Sequence, residues 1–130
     1  MRFVMRSKIH RATVTNADVD YIGSISIDEN LLRAAGIEEW EKIHVLDVTN
    51  GSRLETYVVK APAGSGEICI NGAAAHLVQP GDLVILITYE GISSDSLAEY
   101  TPTIVHVNSK NEVVDISHEL DAVEYVRVDA

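Results

Sequence analysis

Short runs of alternating apolar and polar residues, separated by turn residues, set the pattern of this chain. Ile9 to Thr15 (IHRATVT) alternates and is rich in β-branched residues, which predicts a strand. Period two puts Lys8, His10, Ala12 and Val14 on one face, with Ile9, Arg11, Thr13 and Thr15 on the other. Asn16-Ala17-Asp18 predicts a turn that opens one short helical turn, and SISI (Ser24 to Ile27) predicts a second strand. Asp28 is placed to cap a helix of about two turns, DENLLRAAG, with Gly36 closing it. After a connector, IHVLDV (Ile43 to Val48) predicts a strand. Asn50-Gly51, two residues that tolerate positive φ, joins it as a hairpin to RLETYVVK.

The second half repeats the pattern. Ala63 to Gly66 is a turn, EICI is a short strand, and NGAAAHL (Asn71 to Leu77) is a tight turn running into one or two helical turns. Pro80-Gly81-Asp82 precedes LVILITY, whose unbroken apolar run predicts a strand buried on both faces. Residues 91–99 read as loop or short helix. TIVHV and EVVDI form a last hairpin about Asn108 to Asn111. From Ser117 onward, residues 117–130 have weak helical periodicity and read equally as a flexible tail. Six to seven short strands with only small helices between them predict a mainly β, barrel-like domain rather than a βαβ sheet. With no repeat, linker or low-complexity segment, residues 1–130 form a single domain.

Composition narrows the function classes. No run approaches the ~18 apolar residues of a membrane span. The N-terminus, MRFVMRSKIHR, carries charges every few residues and lacks the apolar core of a signal peptide. Cys69 is the only cysteine, which excludes an intrachain disulfide and fits a cytoplasmic setting. A net charge of −10 argues against nucleic acid. Arg2, Arg6, Lys8 and Arg11 nevertheless precede the first acidic residue, Asp18, so a local site for a small anion is compatible with the acidic whole.

Familiar catalytic patterns are missing. Gly64-Ser65-Gly66 has too few glycines and no following lysine for a phosphate loop. The histidines at 10, 44, 76, 106 and 118 show no metal-ligand spacing, so no metal is expected. There is no G-x-S-x-G for a hydrolytic serine. Gly23-Ser24, read locally, is a bend leading into a strand.

Six segments carry a stronger signal together: KIHRATVT (Lys8 to Thr15), YIGSISID (Tyr21 to Asp28), LLRAAGI (Leu31 to Ile37), VTNGSRLETY (Val48 to Tyr57), INGAAAH (Ile70 to His76) and GDLVIL (Gly81 to Leu86). In this order they resemble the bacterial aspartate 1-decarboxylase family over the chain up to about Val114, while the acidic tail after Asp115 matches no motif. The resemblance implies a double-psi β-barrel, a homotetramer with active sites between subunits, and L-aspartate as substrate for β-alanine and pantothenate synthesis. It also implies a self-inflicted cut at Gly23–Ser24, which leaves a β chain of residues 1–23 and an α chain of residues 24–130.

Decarboxylating an α-amino acid needs an electron sink that ordinary side chains do not supply. The family's sink is a pyruvoyl group made from Ser24, with neither pyridoxal phosphate nor metal; its ketone captures the substrate amine as a Schiff base. Processing begins with the Ser24 hydroxyl attacking the Gly23 carbonyl. Glycine at 23 is expected to relieve crowding and permit a strained turn, and Thr56, with Asn71 nearby, is the implied oxyanion donor. Arg53 and Lys8 are the cations for the substrate carboxylates. Tyr57 is the proton donor, since a phenol keeps its proton at neutral pH yet yields it to a strong carbon base. The N–H groups of Gly72, Ala73 and Ala74 are further substrate contacts. Tyr21 and His10 are weaker candidates, and Trp40 reads as a surface or oligomer contact.

On a regular strand Arg53, Glu55 and Tyr57 share one face and Thr56 takes the other, so one strand cannot serve one site with all of them. A bulge, or a site shared across a subunit boundary, is required. Two alternatives stay open on the residues alone: a non-catalytic double-psi barrel binding module, and a pyruvoyl decarboxylase of another acidic amino acid such as glutamate.

Overall fold

A computed structural model describes residues 1–118, and the tail expected from Ser117 lies almost wholly outside them. The chain is mainly β. Nine strands run β1 (Arg2–Thr13), β2 (Asn16–Asp18), β3 (Ser24–Asp28), β4 (Lys42–Asp47), β5 (Arg53–Ala61), β6 (Ile68–Asn71), β7 (Leu83–Ile92), β8 (Thr103–Val107) and β9 (Val113–Ser117). One helix, α1 (Glu29–Ala35), and two 3-10 helices, Gly72–His76 and Ser94–Glu99, complete the fold. The strands hydrogen-bond in the order β2-β6-β3-β5-β4-β7-β1-β8-β9. Three neighbouring pairs are parallel: β1/β8, β2/β6 and β3/β5. Such crossovers are compatible with a double-psi arrangement, although the ladder is open, with β2 and β9 at its two ends.

The core is aliphatic. Ile9, Ile25, Ile27, Ile43, Val45, Ile68, Ile70 and Leu86 are all inaccessible to solvent. α1 forms as its caps predict. Asp28 accepts from Asn30 N at 2.8 Å, Gly36 ends the helix at φ 70°, and Leu31, Leu32 and Ala35 face the core. The same Asp28 carboxylate also accepts from Gly64 N and Gly66 N, so one buried acid secures both the helix and the β5–β6 turn.

Four local expectations change. Asn16–Asp18 is a strand rather than a helical turn, because β6 offers it a parallel partner that no local pattern reveals. The period-two faces of β1 break at a bulge: the pairing with β7 slips between Ile9 and Ala12, and Arg11 takes φ 60°. Ile9, Ala12 and Val14 therefore all reach the core, while Lys8 and His10 lie on the other side of the sheet. The Asn50-Gly51 connection spans five residues: Gly51 alone has positive φ, and Asp47 Oδ1 accepts from both Thr49 N and Asn50 N. β7 continues to Ile92, and its Leu83 and Ile85 are only half-buried, so burial on both faces holds for its middle alone.

Candidate active site

Ile25 and Ile27 of β3 enter the core, so alternation turns Ser24, Ser26 and Asp28 to the opposite face. β6 lies antiparallel alongside and sets Asn71 opposite Ser24 and Cys69 opposite Ser26. The four side chains on this shared face join. Asn71 Nδ2 donates to Ser24 Oγ at 2.9 Å and to Ser26 Oγ at 3.1 Å. Ser24 Oγ donates to the Ile22 carbonyl at 3.3 Å, and Cys69 Sγ donates to Asn71 Oδ1 at 3.2 Å. Ser24 and Asn71 are 2% and 3% exposed, so this serine hydroxyl meets a directed donor rather than bulk water. Burial, then the carboxylates of Glu67 and Asp18, push the Cys69 thiol up, which keeps it a donor at neutral pH.

Asn71 precedes the 3-10 helix Gly72–His76 yet makes no side-chain cap bond there. An asparagine in that position commonly folds back onto the next turn; here the amide is turned to Ser24 and Ser26. The next residue explains why the chain bends so closely. Gly72 has φ 78°, and a Cβ on it would lie 2.6 Å from Gly23 Cα, 2.8 Å from Gly23 N and 3.2 Å from the Tyr21 carbonyl. Gly23 itself has no such need: it lies outside the left-handed region, and a Cβ there would meet only the Asn71 carbonyl, at 4.0 Å. The crowding expected at Gly23 is thus relieved by Gly72.

β5 supplies the next group. It runs parallel to β3 with Val58 level with Ile25, so the same register carried back one residue sets Tyr57 level with Ser24. Thr56 and Val58 turn toward the core side, and Arg53, Glu55 and Tyr57 take the other, as period two requires. Trp40 stacks on the Tyr57 ring with centroids 5.9 Å apart and planes at 23°. Its φ of 77° is held by a bond from its own N–H to the Val58 carbonyl.

The expected residues divide into two groups. Gly23, Ser24, Asn71 and Gly72 come together, with Ala73 and Ala74 following on the 3-10 helix, while Tyr57 stands level with Ser24 on β5 and stacks on Trp40. No described hydrogen bond joins Thr56 to the Gly23–Ser24 peptide. Arg53 lies four residues from Tyr57, about 13 Å along the strand. Lys8 stands on β1, four ladder steps from β3 through β5, β4 and β7, about 19 Å along the sheet surface. His10 packs edge-on to His106, ring centroids 5.7 Å apart, and Tyr21 is exposed in the loop before Gly23. No metal-sized cluster of His, Cys, Asp or Glu occurs among the described residues. Ser26, Cys69 and the Trp40 stack were not anticipated, although the alternation of SIS against CIN places the first two beside Asn71.

The family model for aspartate decarboxylase matches residues 1–114. The aspartate 1-decarboxylase of Corynebacterium efficiens is 54% identical over 119 residues, covering 92% of this chain and 88% of its own. That of Myxococcus xanthus is 58% identical over 113 residues, covering 87% of each chain. That of Acetivibrio thermocellus is 53% identical over 116 residues, covering 89% of this chain and 92% of its own.

Proposed function

The chain belongs to the aspartate decarboxylase family, and from that premise we propose that it decarboxylates L-aspartate to β-alanine and carbon dioxide for pantothenate synthesis, using a pyruvoyl group made from its own Ser24. The observation that carries this reading is the buried hydrogen bond from Asn71 Nδ2 to Ser24 Oγ, next to the bond between Gly23 and Ser24. Family membership also favours an enzyme over a non-catalytic barrel, and aspartate over other acidic amino acids.

Maturation starts from the Ser24 hydroxyl and the Asn71 amide that holds it. Ser24 Oγ bonds to the Gly23 carbonyl carbon, the C–N bond breaks, and the hydroxyl proton passes to the freed nitrogen, giving an ester. Loss of the Ser24 Cα proton and cleavage of Cβ–Oγ then release Gly23 as a carboxylate and leave dehydroalanine. Water replaces its nitrogen as ammonia. Asn71 Nδ2 stabilises negative charge on Oγ as the C–O bond forms and breaks, and Thr56, adjacent to Tyr57, is the proposed donor to the carbonyl oxygen. The site suits the product: residue 24 is buried, the Asn71 amide lies beside it, and Gly72 leaves room for the backbone.

Once formed, the pyruvoyl group supplies the electron sink for loss of carbon dioxide. The chain's residues do the rest. Arg53 and Lys8 bind the two carboxylates, and the N–H groups of Gly72, Ala73 and Ala74 line the approach with little side-chain bulk. Tyr57 Oη returns a proton to the carbon that loses carbon dioxide, with Trp40 fixing the plane of its ring. In the homotetramer with shared sites that family membership favours, Lys8 and Arg53 are the cations a neighbouring copy would contribute. No described helix is long and apolar enough to cross a membrane.

Denaturing intact-mass spectrometry tests the proposal. Wild type is expected to give chains 1–23 and 24–130, the latter lighter than its serine form by one ammonia, and Ser24→Ala one uncut chain. A wild-type protein that stays whole on prolonged incubation overturns the reading. Carbon dioxide release is expected from aspartate and not from glutamate.

A further inference from the structure

Three neighbours grip the Asn71 amide, and only one of them is used up when Ser24 reacts. Its Nδ2 reaches Ser24 Oγ at 2.9 Å and Ser26 Oγ at 3.1 Å, while Oδ1 receives the Cys69 thiol at 3.2 Å. An asparagine amide is nearly symmetric in shape, so its orientation is decided by its partners. Ser24 already spends its proton on the Ile22 carbonyl at 3.3 Å, which leaves its oxygen in need of a donor. Cys69 completes the choice from the other end. The 3-10 helix that follows makes no claim on the side chain.

We propose that Cys69 and Ser26 are positioning residues that lock the Asn71 amide with Nδ2 toward residue 24, both while the Ser24 hydroxyl is present and after it has been consumed. The lock rests on the proposed cleavage for its function but not for its geometry. With the Ser24 hydroxyl gone, Ser26 Oγ and Cys69 Sγ are the remaining side-chain partners among the described residues. A flipped amide would turn Oδ1 toward residue 24, where a lone pair opposes developing negative charge instead of stabilising it. Burial and nearby acids raise the Cys69 thiol's pKa, so the lock keeps its donor through the neutral range.

Two measurements decide it. Freshly made full-length precursor of wild type, Cys69→Ala, Ser26→Ala, the double variant and Cys69→Ser is followed by intact-mass spectrometry. The double variant is expected to form chains 1–23 and 24–130 about tenfold more slowly, a loss on the scale of one or two hydrogen bonds. Cys69→Ser, which restores a donor, is expected to recover most of the rate. Second, in full-length Ser24→Ala the Asn71 side-chain NH2 resonances are followed by NMR. They are expected to exchange slowly with solvent, and faster by at least tenfold when Ser26→Ala and Cys69→Ala are added. Equal cleavage rates in all variants, or unchanged NH2 exchange, overturn the inference. A wild type that never cleaves removes the proposed function, and the NMR comparison then decides the lock by itself.

Discussion

Gly72 has little conformational freedom, hemmed in by backbone atoms. Its φ of 78° and the 2.6 Å approach of a would-be Cβ to Gly23 Cα leave no room for any side chain. Gly72→Ala is expected to cost at least ~1–2 kcal/mol from the backbone alone, and to displace residue 23 enough to stop cleavage, measured as a lower Tm together with an uncut mass. Gly23→Ala meets no such contact and is expected to fold with near-wild-type stability. Asp47 is a second special residue. Burial and the adjacent Asp82 carboxyl raise its pKa, while the neighbouring Asp47 and the Gln79 N–H lower that of Asp82. The Asp47 contribution is therefore present at low pH and lost as pH rises through its raised folded-state pKa. Asp47→Asn keeps an acceptor for Thr49 N and Asn50 N and offers Asp82 a permanent donor. It is expected to be more stable than wild type by about 0.5–1 kcal/mol near neutral pH, with the gap closing in acid, as thermal melts across pH would show.

At the level of elements, the sequence made most of the local structure legible. The caps of α1 and the strands on either side of Asn50-Gly51 lie where their residue types predict, because those signals are local. Partners distant in sequence decided what was missed. Asn16–Asp18 becomes a strand through β6, and the β1 bulge at Arg11 depends on its β7 register. Likewise, alternation placed Thr56 and Tyr57 on opposite faces, but the Asn71 grip on Ser24 needed the β3/β6 pairing. Asn111 shows how such long-range ties stabilise elements. From φ 61° it accepts from Thr13 N and donates to the carbonyls of Thr13 and Gly66, each at 2.8 Å, joining β1, the β5–β6 turn and the last hairpin. Asn111→Ala leaves these groups unpaired and is expected to destabilise by about 2–4 kcal/mol in chemical denaturation.

For the whole molecule, the proposed sharing of sites between copies predicts complementation. Lys8→Ala and Tyr57→Phe are each expected to be nearly inactive. Refolded together, they are expected to regain activity that neither has alone, since mixed assemblies contain sites with both halves intact. No gain on mixing would mean that each protomer completes its own site. One further consequence follows from β1, the 12-residue strand hydrogen-bonded to β7 on one side and β8 on the other. Under the proposed cleavage, this strand belongs to a separate 23-residue peptide held in the middle of the sheet. Each precursor protomer folds as one chain before any copies assemble, but each mature protomer must first re-form by association of two fragments. Its refolding is then expected to slow more steeply on dilution than that of the uncut Ser24→Ala precursor, and to speed up when excess 1–23 peptide is added. The precursor's covalent link acts as a one-time assembly aid, and its loss turns folding memory into a property of the complex.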